Sequence, residues 1–593
     1  MSLVKTKALL FPFASLISIT LLTFILRTVK MKGSIITDYE KRIERNNNTV
    51  ESNSFNNCLK DGNDMYNFFK CFSKNININE NFNETEIEKG EIGEVKNVLN
   101  NVANVFENVE LLFLMEDMLL KSLSVPVETQ DFKSLKYKEE SHTKLWNSVF
   151  DKHRTMDKNG NLVVSKEALI RYSDFLNSKD ISSLPIKQKL LATVHQSLYP
   201  WVYGNRYKNF SDLISSFNGR GIVICTGDRH YNLVRSSIDI FRNVLNCTLP
   251  IEIFYIGYKD ISTEHIDELL SIPDVYVNDI KTYFDNDIVN IGGWAVKSFA
   301  LLASRFEEAI LMDADAAYIR NPETLFEDQG YKELGTVYFR DRTREPGVNK
   351  GNRWLKSWMT DPLPETETSR FWNAISHHEM ESSTVVMHKT RNILGLLNVC
   401  KLNEKKIRDE VVYKMVYGDK ETFWIGFDMA RQHYNMLPNP VIFVGDYAVG
   451  EAGKNKDLKQ LCGHVGHMNR EGQVLYWNDH IIKDKFNKYT KGQGGAMGQR
   501  LLHFDAYFIE RGRNYWANPH CLNYEEANYG EKPINFTGID REIIDRIIER
   551  ENKYHYVLPL NELEEEEKEA KEMNEEEKKK EEEEKKKEEK KKE

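Results

Sequence analysis

Short apolar runs alternate with segments of helical periodicity between about residues 219 and 536. The apolar runs predict buried strands, and the helical spacing predicts amphipathic helices between them. Short connections in such an alternation favour a mostly parallel, right-handed α/β sheet. The predicted strands are 221–226, 251–256, 275–277 and a run that ends at residue 313, and the predicted helices are 234–245 and 294–306.

Two carboxylates follow the last of these strands. The run from Ile310 to Met312 ends in Asp313 and Asp315, and Asn321-Pro322 then predicts a turn. Strand alternation places both side chains on one face, at the carboxyl edge where open α/β sheets bind ligands. Two hard oxygen ligands can hold a divalent cation, which in turn can hold a diphosphate. The Asp-x-Asp tripeptide also occurs by chance in many proteins, so this assignment depends on its position after the strand.

The loop after the first strand is the second candidate ligand contact. It contains Thr226, Gly227, Asp228 and Arg229, which we expect beside the carboxylate pair. The loop has no Gly-x-Gly-x-x-Gly pattern, and the chain has no Walker loop. The sequence therefore disfavours dinucleotide dehydrogenases and P-loop ATPases.

The amino-terminal region predicts membrane attachment. Residues 8–26 carry no charge and are long enough to span a bilayer, with a short tail (1–7) before them. A cleaved signal peptide is the alternative, but no small-x-small cleavage site follows, which favours a retained signal anchor. Residues 27–93 are rich in Asn, Lys and Glu and predict a stem. Helical spacing then predicts a helical region over 94–218, before a catalytic domain over 219–560.

The composition indicates the cellular compartment of the protein. Seven cysteines without a Cys-x-x-Cys pair fit an oxidising compartment, with Cys225 inside an apolar strand as the expected unpaired residue. The net charge of −10 gives no basic footprint for nucleic acid. The tail at 561–593 is rich in Glu and Lys and predicts a solvated appendage. The glycosylation sequons all lie downstream of the anchor: Asn47, Asn83, Asn209, Asn246 and Asn535.

One further segment imitates a known motif. Residues 157–161 resemble the start of a calcium-binding loop, but Leu162 stands at the sixth position and Ala168 at the twelfth. Such loops need Gly and Glu at those positions, so the segment predicts a turn.

Four blocks carry a resemblance to a known family: GIVICTGDRHY, GGWAVKSFALLASRFEEAILMDADAAYIRNPETLFED, ESSTVVMHKTR and GDKETFWIGF. In this order and spacing they resemble the fungal Golgi α-1,3-mannosyltransferases, over about residues 219–477. The resemblance implies a nucleotide-diphosphosugar transferase fold of the GT-A kind, GDP-mannose as donor, Mn²⁺ as cofactor and retention of anomeric configuration. The fungal α-1,2-mannosyltransferases share this general plan and remain an alternative.

The resemblance assigns roles to particular residues. It makes Asp313 and Asp315 the metal ligands that orient the diphosphate. His467 is the expected third ligand, with His464 and His503 as rivals, although a structural histidine is an alternative for each. Arg229 and Lys297 are candidates for phosphate contact, and solvated charges are the alternative.

A second cluster is expected at the donor sugar. Glu381 and Ser382 precede the apolar run 385–387, and Asp419 and Glu421 open an aromatic helix. These side chains can bind mannose hydroxyls, and the carboxylates can stabilise positive charge at the anomeric carbon. Helix capping by Asp419 and Glu421 is the alternative. Ser383 stands where we expect Gly in many relatives.

We therefore expect a single-pass type II Golgi membrane enzyme that adds mannose to mannose-terminated glycans of glycoproteins. Association with other Golgi mannosyltransferases is a possible partnership. A transferase with another donor, such as UDP-glucose, and a catalytically silent scaffold are the competing hypotheses. Intact Asp313 and Asp315 disfavour the scaffold.

Overall fold

The computed structural model describes residues 119–449, 459–481, 503–511, 516–518, 521–524 and 532–551. The predicted anchor (8–26), the stem (27–93) and the charged tail (561–593) lie outside these ranges, as does the predicted helical region up to residue 118. Within the described ranges, no helix combines the length and apolar character needed to cross a membrane.

Residues 132–215 form mainly helices. Helix α1 begins where Asp131 accepts a hydrogen bond from the Ser134 backbone N–H, as an N-cap does. A small hairpin interrupts the helices, and Asp157 closes its turn by accepting from the backbone N–H groups of Asn159 and Asn161. The segment at 157–161 is therefore a turn, as predicted. The elements are α1 (Phe132–Phe150), β1 (Arg154–Met156), β2 (Leu162–Val164), α2 (Lys166–Tyr172), α3 (Ile186–Leu198) and α4 (Phe210–Ser215).

The central sheet has six strands, and its first four in chain order are parallel. Their positions agree with the apolar runs, and helices connect them. In register, Cys225 at the end of β3 is paired with Asp313 at the end of β6. The elements are β3 (Arg220–Cys225), α5 (Tyr231–Asn243), β4 (Ile251–Tyr255), α6 (Thr263–Leu270), β5 (Val275–Asp279), α7 (Asn286–Val289), α8 (Val296–Ala303) and β6 (Glu308–Asp313).

The other half of this sheet is antiparallel, which the sequence did not predict. The strand order is β5-β4-β3-β6-β9-β8, and β9 is antiparallel to both β6 and β8. Antiparallel addition lets β9 place its first residues, rather than its last, beside the end of β6. The elements are β7 (Ala317–Tyr318), α9 (Gln329–Leu334), β8 (Thr336–Arg340), α10 (Lys350–Trp358), α11 (Pro364–Glu367), β9 (Met380–His388), α12 (Ile393–Leu402), α13 (Lys405–Ile407), α14 (Tyr413–Met415) and α15 (Lys420–Met429).

A second sheet is antiparallel in all its described pairings. One of its strands, β7, follows β6 of the central sheet in the chain and pairs with β12. The segment after Asp315 is therefore held by a strand about 160 residues later. The expectation of a mostly parallel architecture therefore holds only for the first half of the central sheet. The elements are β10 (Ile442–Val449), β11 (Lys459–Met468), β12 (Val474–Trp477), β13 (Ala506–Ile509), β14 (Trp516–Asn518), β15 (Cys521–Asn523), β16 (Ile534–Asn535) and α16 (Gly538–Glu551).

Both faces of the central sheet are covered. Ile310 and Met312 of β6 belong to a core with α5 and the second sheet. Leu311 of β6 belongs to another core with α8, α12 and α15. Strand alternation therefore directs the side chain of Asp313 toward the α8 side of the sheet.

The described cysteines include one disulfide, between Cys462 of β11 and Cys521 of β15. Cys225 is unpaired, as expected. Cys247 and Cys400 are unpaired as well, and both are buried. A disulfide that crosslinks two strands is typical of proteins that fold in an oxidising compartment.

The β10–β11 pair depends on two facing glycines. Gly445 and Gly463 are paired in register, and a Cβ atom on Gly463 would overlap the carbonyl oxygen of Val444. The overlapping atom belongs to the backbone of the partner strand, which cannot move aside as a side chain can. We expect Gly463→Ala to lower the free energy of unfolding by about 2 kcal/mol or more, as overpacking in a core does, measured by thermal unfolding of the full chain.

Gly292→Ala is the matched control. Gly292 has extended backbone, with φ of −172°, and an added Cβ meets no atom within 4 Å. The control should unfold at the wild-type temperature. Equal melting temperatures for the two variants would show that β10 and β11 accommodate the added Cβ without loss of stability, and the predicted overlap would be wrong.

Candidate active site

The carboxylate pair lies at the end of a central strand, but the two residues are positioned by different elements. Asp313 is the last residue of β6, whereas Asp315 lies in the turn that follows. Strand alternation therefore does not position Asp315. Its backbone carbonyl accepts a hydrogen bond from the His480 N–H at 2.6 Å, and only 7% of the residue is exposed.

A buried lysine from α8 contacts Asp313. The Lys297 ammonium lies 2.7 Å from one oxygen of Asp313 and 3.0 Å from the other. It also lies 3.2 Å from both the carbonyl and the hydroxyl oxygen of Ser382. Lys297 is 9% exposed. Although burial opposes its charge, Asp313 and Asp419 raise the pKa of Lys297, so the ammonium stays protonated.

Asp419 completes this cluster from the start of α15. Its carboxylate accepts from the Ser382 hydroxyl at 3.2 Å and lies 3.9 Å from the Lys297 ammonium. Asp419 occupies the N-cap position, yet its side chain makes no capping hydrogen bond. Its orientation toward Lys297 and Ser382 therefore favours the predicted site role over the capping alternative.

The cluster carries more negative than positive charge. Asp313 and Asp419 both lie close to the Lys297 ammonium, and Asp315 adds its negative charge next to Asp313. Burial raises the pKa of Asp313 to about 6, with Asp315 and Asp419 adding to the rise and Lys297 opposing it. Burial likewise raises the pKa of Asp419. Such an excess of carboxylate charge favours binding of a cation.

A second ion pair flanks the cluster, and sequence reasoning missed it. Asp341 follows the end of β8 and forms a salt bridge with Lys420 of α15. Although burial acts against it, Lys420 and Arg342 hold the pKa of Asp341 well below its usual range. The signal for Asp341 was present, because an apolar strand that ends in a carboxylate is also the pattern at Asp313.

Glu381 lies between the two ion pairs, at the second position of β9. Burial raises its pKa to about 7, Asp341 adds to the rise, and Lys420 and Lys297 oppose it. One of its oxygens accepts from the Ser383 backbone N–H at 2.9 Å. Glu381 is therefore part of the charged cluster, as the sequence predicted.

Glu421 has a different place. It has no exposed surface, and its oxygens accept from the Glu379 backbone N–H at 3.0 Å and from the Trp424 indole N–H at 2.6 Å. One oxygen thus joins the start of α15 to the segment before β9, and the other holds the Trp424 indole within the same helix. The structure gives Glu421 a supporting role in place of the expected contact with a donor sugar.

The loop after β3 lies beside the end of β6, as predicted. Gly227 packs against the Asp260 side chain so closely that a Cβ atom would overlap the carboxylate. Asp228 accepts from the Ser262 N–H and from His265 at 2.7 Å, and although desolvation opposes them, these contacts together lower its pKa. Thr226 is buried, and Arg229 is exposed. Asp228 is therefore engaged in fixing the loop to the start of α6.

The predicted histidine ligands do not join the carboxylates. In the part of the chain that the structure describes, no three His, Cys, Asp or Glu side chains form a group that could hold a metal ion. Burial lowers the pKa of His467 to about 4, and its ring stacks on Tyr476. His464 is buried near Asp479, and His503 is exposed. The third-ligand expectation finds no support in this geometry.

His480 is the histidine that sequence reasoning missed. Its backbone N–H contacts Asp315, its carbonyl accepts from the Trp477 indole at 2.6 Å, and its side chain lies 3.2 Å from Glu551 of α16. The contacts with Asp315 and Glu551 are long-range, and nothing in the local sequence indicates them.

Asp313 and Asp315 provide the oxygen donors that Mg²⁺ and Mn²⁺ prefer, and such ions complete their coordination with phosphate oxygens and water. Two carboxylates at a sheet edge therefore fit a cation that binds together with a diphosphate. Ser382 contacts both Lys297 and Asp419, and with the adjacent Glu381 these side chains offer hydrogen-bonding groups for a polar ligand.

The segment that contains the candidate site also resembles known proteins. Residues 219–469 match a family model described as "Mannosyltransferase putative". The chain is 26% identical over 454 residues to the putative alpha-1,3-mannosyltransferase MNN14 of Candida albicans, which covers 68% of this chain and 64% of that protein. It is 27% identical over 353 residues to the alpha-1,3-mannosyltransferase MNT3 of Saccharomyces cerevisiae, covering 51% and 54%.

Among solved structures, mouse xyloside xylosyltransferase 1 in its apo form covers 37% of this chain and 85% of its own. Its TM-score of 0.24 and identity of 12% are too low to support an argument about function. The chain spans less than two thirds of the length of the two fungal relatives. Residues 219–469 are therefore similar to a mannosyltransferase family, and the chain is similar to fungal α-1,3-mannosyltransferases.

Proposed function

We propose that this protein is a retaining α-1,3-mannosyltransferase that transfers mannose from GDP-mannose to mannose-terminated glycans of glycoproteins. The observation that carries the proposal is the cluster around Lys297, which joins the carboxylate at the end of β6 to Ser382 and Asp419. It combines carboxylates suited to a cation with polar side chains on adjacent elements. Similarity to mannosyltransferases supports mannose as the transferred sugar.

Asp313 and Asp315 are the proposed ligands of Mn²⁺. When bound, the metal would act as a Lewis acid toward the diphosphate leaving group. Lys297 fixes the orientation of Asp313 through contacts to both carboxylate oxygens. The loop at Thr226–Arg229 is the proposed neighbour of the nucleotide, because β3 and β6 end side by side. Arg229 is exposed there and is the proposed phosphate contact.

The sugar is proposed to lie against Ser382, Asp419 and Glu381. Asp419 is nearly excluded from water, so its negative charge is weakly screened and can stabilise positive charge that develops at the anomeric carbon. Ser382 holds this carboxylate by a hydrogen bond and can bind a sugar hydroxyl. Glu421 acts indirectly, since it fixes the backbone before β9 and thereby the position of Glu381.

The proposed location is the Golgi membrane, with the body of the protein in the lumen and association with other Golgi mannosyltransferases. The Cys462–Cys521 disulfide supports an oxidising compartment. Of the predicted sequons, Asn246 is exposed at a left-handed backbone position, and Asn535 is exposed in β16. Both are accessible at the surface of the described fold.

Replacing either carboxylate should abolish transfer. We expect Asp313→Asn and Asp315→Asn each to lower kcat/KM for GDP-mannose by at least about a hundredfold, because each removes a charge that binds the metal and its diphosphate. Asparagine retains the shape of the side chain, but Asp313→Asn removes a charge partner of buried Lys297, so only variants that a melt shows to be folded are compared. The measurement is steady-state transfer to a mannose oligomer, with a thermal melt of each variant.

Asp361→Asn is the matched control, because the Asp361 side chain is 74% exposed and pairs only loosely with Arg431. It should transfer at the wild-type rate. Near-normal turnover of Asp313→Asn at saturating donor would remove the carboxylate pair from the mechanism.

The choice of donor and metal can be tested on the wild-type protein. We expect chelation to stop transfer, Mn²⁺ to restore it, and GDP-mannose to be the preferred donor among GDP- and UDP-sugars. The carboxylate pair requires a divalent cation to offset its repulsion of a diphosphate. Linkage analysis of the product then separates α-1,3 from α-1,2 transfer. Preferential use of UDP-glucose would contradict the proposed donor, and inactivity with every donor would favour the scaffold hypothesis.

Topology has its own test. Protease added outside sealed Golgi vesicles should leave the chain beyond the predicted anchor intact, because the membrane shields a luminal domain. Endoglycosidase treatment should shift the mobility of the protected fragment if sequons such as Asn246 are used. Digestion of the whole body from outside the vesicles would overturn the proposed orientation.

A further inference from the structure

Two large aromatic side chains are exposed beside the charged cluster. Trp294 is 51% exposed and Tyr417 is 61% exposed. Their ring centroids lie 5.4 Å apart, with 41° between the planes. Trp294 lies in the turn at Gly293–Ala295 that leads directly into α8 and Lys297. Tyr417 precedes Asp419 by two residues. The pair therefore belongs to the two segments that deliver Lys297 and Asp419.

The Trp294 ring packs directly against the backbone of Gly418. The Gly418 backbone is left-handed, with φ of +64°, and a Cβ atom there would lie 2.9 Å from Cε3 of the indole. The missing side chain thus serves two purposes, the turn before α15 and close approach of the indole to the backbone. Tyr413 lies next to the same indole, with a centroid distance of 6.5 Å. The ring is held in place while half of its surface faces solvent.

Tyr417 is held by polar neighbours. The Lys420 ammonium lies 5.1 Å from its ring centroid, and the His378 ring lies 5.7 Å away in an edge-on arrangement. Lys420 is the partner of Asp341, and His378 lies 3.7 Å from Glu421. The exposed rings are therefore bordered by groups that can donate and accept hydrogen bonds.

This combination matches the chemistry of a pyranose ring. One face of a mannose presents C–H groups, which are attracted to the electron-rich face of an aromatic ring. Its rim presents hydroxyl groups, which suit the neighbouring lysine, carboxylate and histidine. A purely apolar partner would leave these polar groups without hydrogen bonds, which is unfavourable.

The position of the pair separates it from the nucleotide. The proposed nucleotide loop follows β3, on one side of β6 in the sheet order. Tyr417 contacts Lys420, whose partner Asp341 follows β8 on the opposite side of β6. The donor sugar is proposed to lie between them, against Ser382 and Asp419. A second sugar on the β8 side would approach the donor sugar from the face away from the nucleotide.

We propose that Trp294 and Tyr417 form the acceptor platform, on which a mannose residue of the acceptor glycan stacks. This inference rests on the proposed mannosyltransferase function and adds the residues that select a mannose acceptor. Trp294→Ala and Tyr417→Ala should each raise the acceptor KM by about tenfold, because each removes one stacking surface. The donor KM should change far less. Trp294→Phe and Tyr417→Phe retain an aromatic ring and should stay within about threefold of wild type, since much of the stacking surface is preserved.

Tyr172→Ala is the matched control. Tyr172 is 41% exposed and stacks on His153, away from the cluster in the amino-terminal helices. The acceptor KM of this variant should equal that of wild type. Binding of the same α-linked mannose oligomer is also measured by calorimetry without donor, so that the platform is tested even where no transfer occurs.

The two proposals fail in different ways. If wild type transfers mannose and both alanine variants keep its acceptor KM, the platform is overturned and the proposed function stands. If wild type transfers no mannose but binds the oligomer, and both alanine variants lose that binding, the proposed function fails and the platform stands. If wild type shows no calorimetric binding of the oligomer at millimolar concentration, and both alanine variants have the wild-type acceptor KM, the platform is wrong. The two rings would then belong to another kind of surface, such as a protein contact.

Should Trp294→Ala fail to fold, Tyr417→Ala decides alone, because the more exposed Tyr417 contributes less to the core.

Discussion

One buried ammonium holds the candidate site together. Lys297 of α8 touches the end of β6 through Asp313, the start of β9 through Ser382 and the start of α15 through Asp419. Removing one member of a buried ion pair typically destabilises a protein by about 3–5 kcal/mol, because the remaining charge is left without compensation. The relative placement of these four elements therefore depends on the charge balance among three side chains. The sheet supplies the scaffold, and the lysine fixes the scaffold's polar edge.

The direction of β9 makes this arrangement possible. Because β9 is antiparallel to β6, its first residues, Glu381 and Ser382, lie beside the carboxyl end of β6. A parallel β9 would place that end beside Met387 and His388 instead. The antiparallel half of the sheet thus brings polar residues to the same edge as Asp313, while the apolar residues of the strand remain in the core.

Sequence periodicity was sufficient for the parallel half of the sheet. Apolar runs and helical spacing identify β3, β4 and β6, and the position of Asp313 follows from them. The direction of β9 was beyond reach, because an apolar strand reads the same in either orientation. The same limit applies to pairing: Asp341 carries the signal seen at Asp313, but its partner Lys420 is 79 residues away. Glu421 shows the opposite error. Its acidic side chain at the start of a helix predicted a site residue, and only the three-dimensional structure reveals that it is fully buried.

The loop that carries Asp315 has a consequence for the order of folding. Its backbone is held by His480, the next strand β7 pairs with β12, and the His480 side chain lies against Glu551 of α16. These partners are separated from the loop by more than 150 residues, and contacts of such sequence separation form slowly. During synthesis the chain emerges from its amino terminus, so the parallel strands can assemble well before residue 480 exists. Asp313 can therefore reach its place early, whereas Asp315 is fixed only when the carboxy-terminal strands have closed over it. A chain interrupted between β9 and β12 would contain the whole central sheet, but the backbone of Asp315 would lack its partner. Completion of the second sheet is therefore what completes the candidate site on the first.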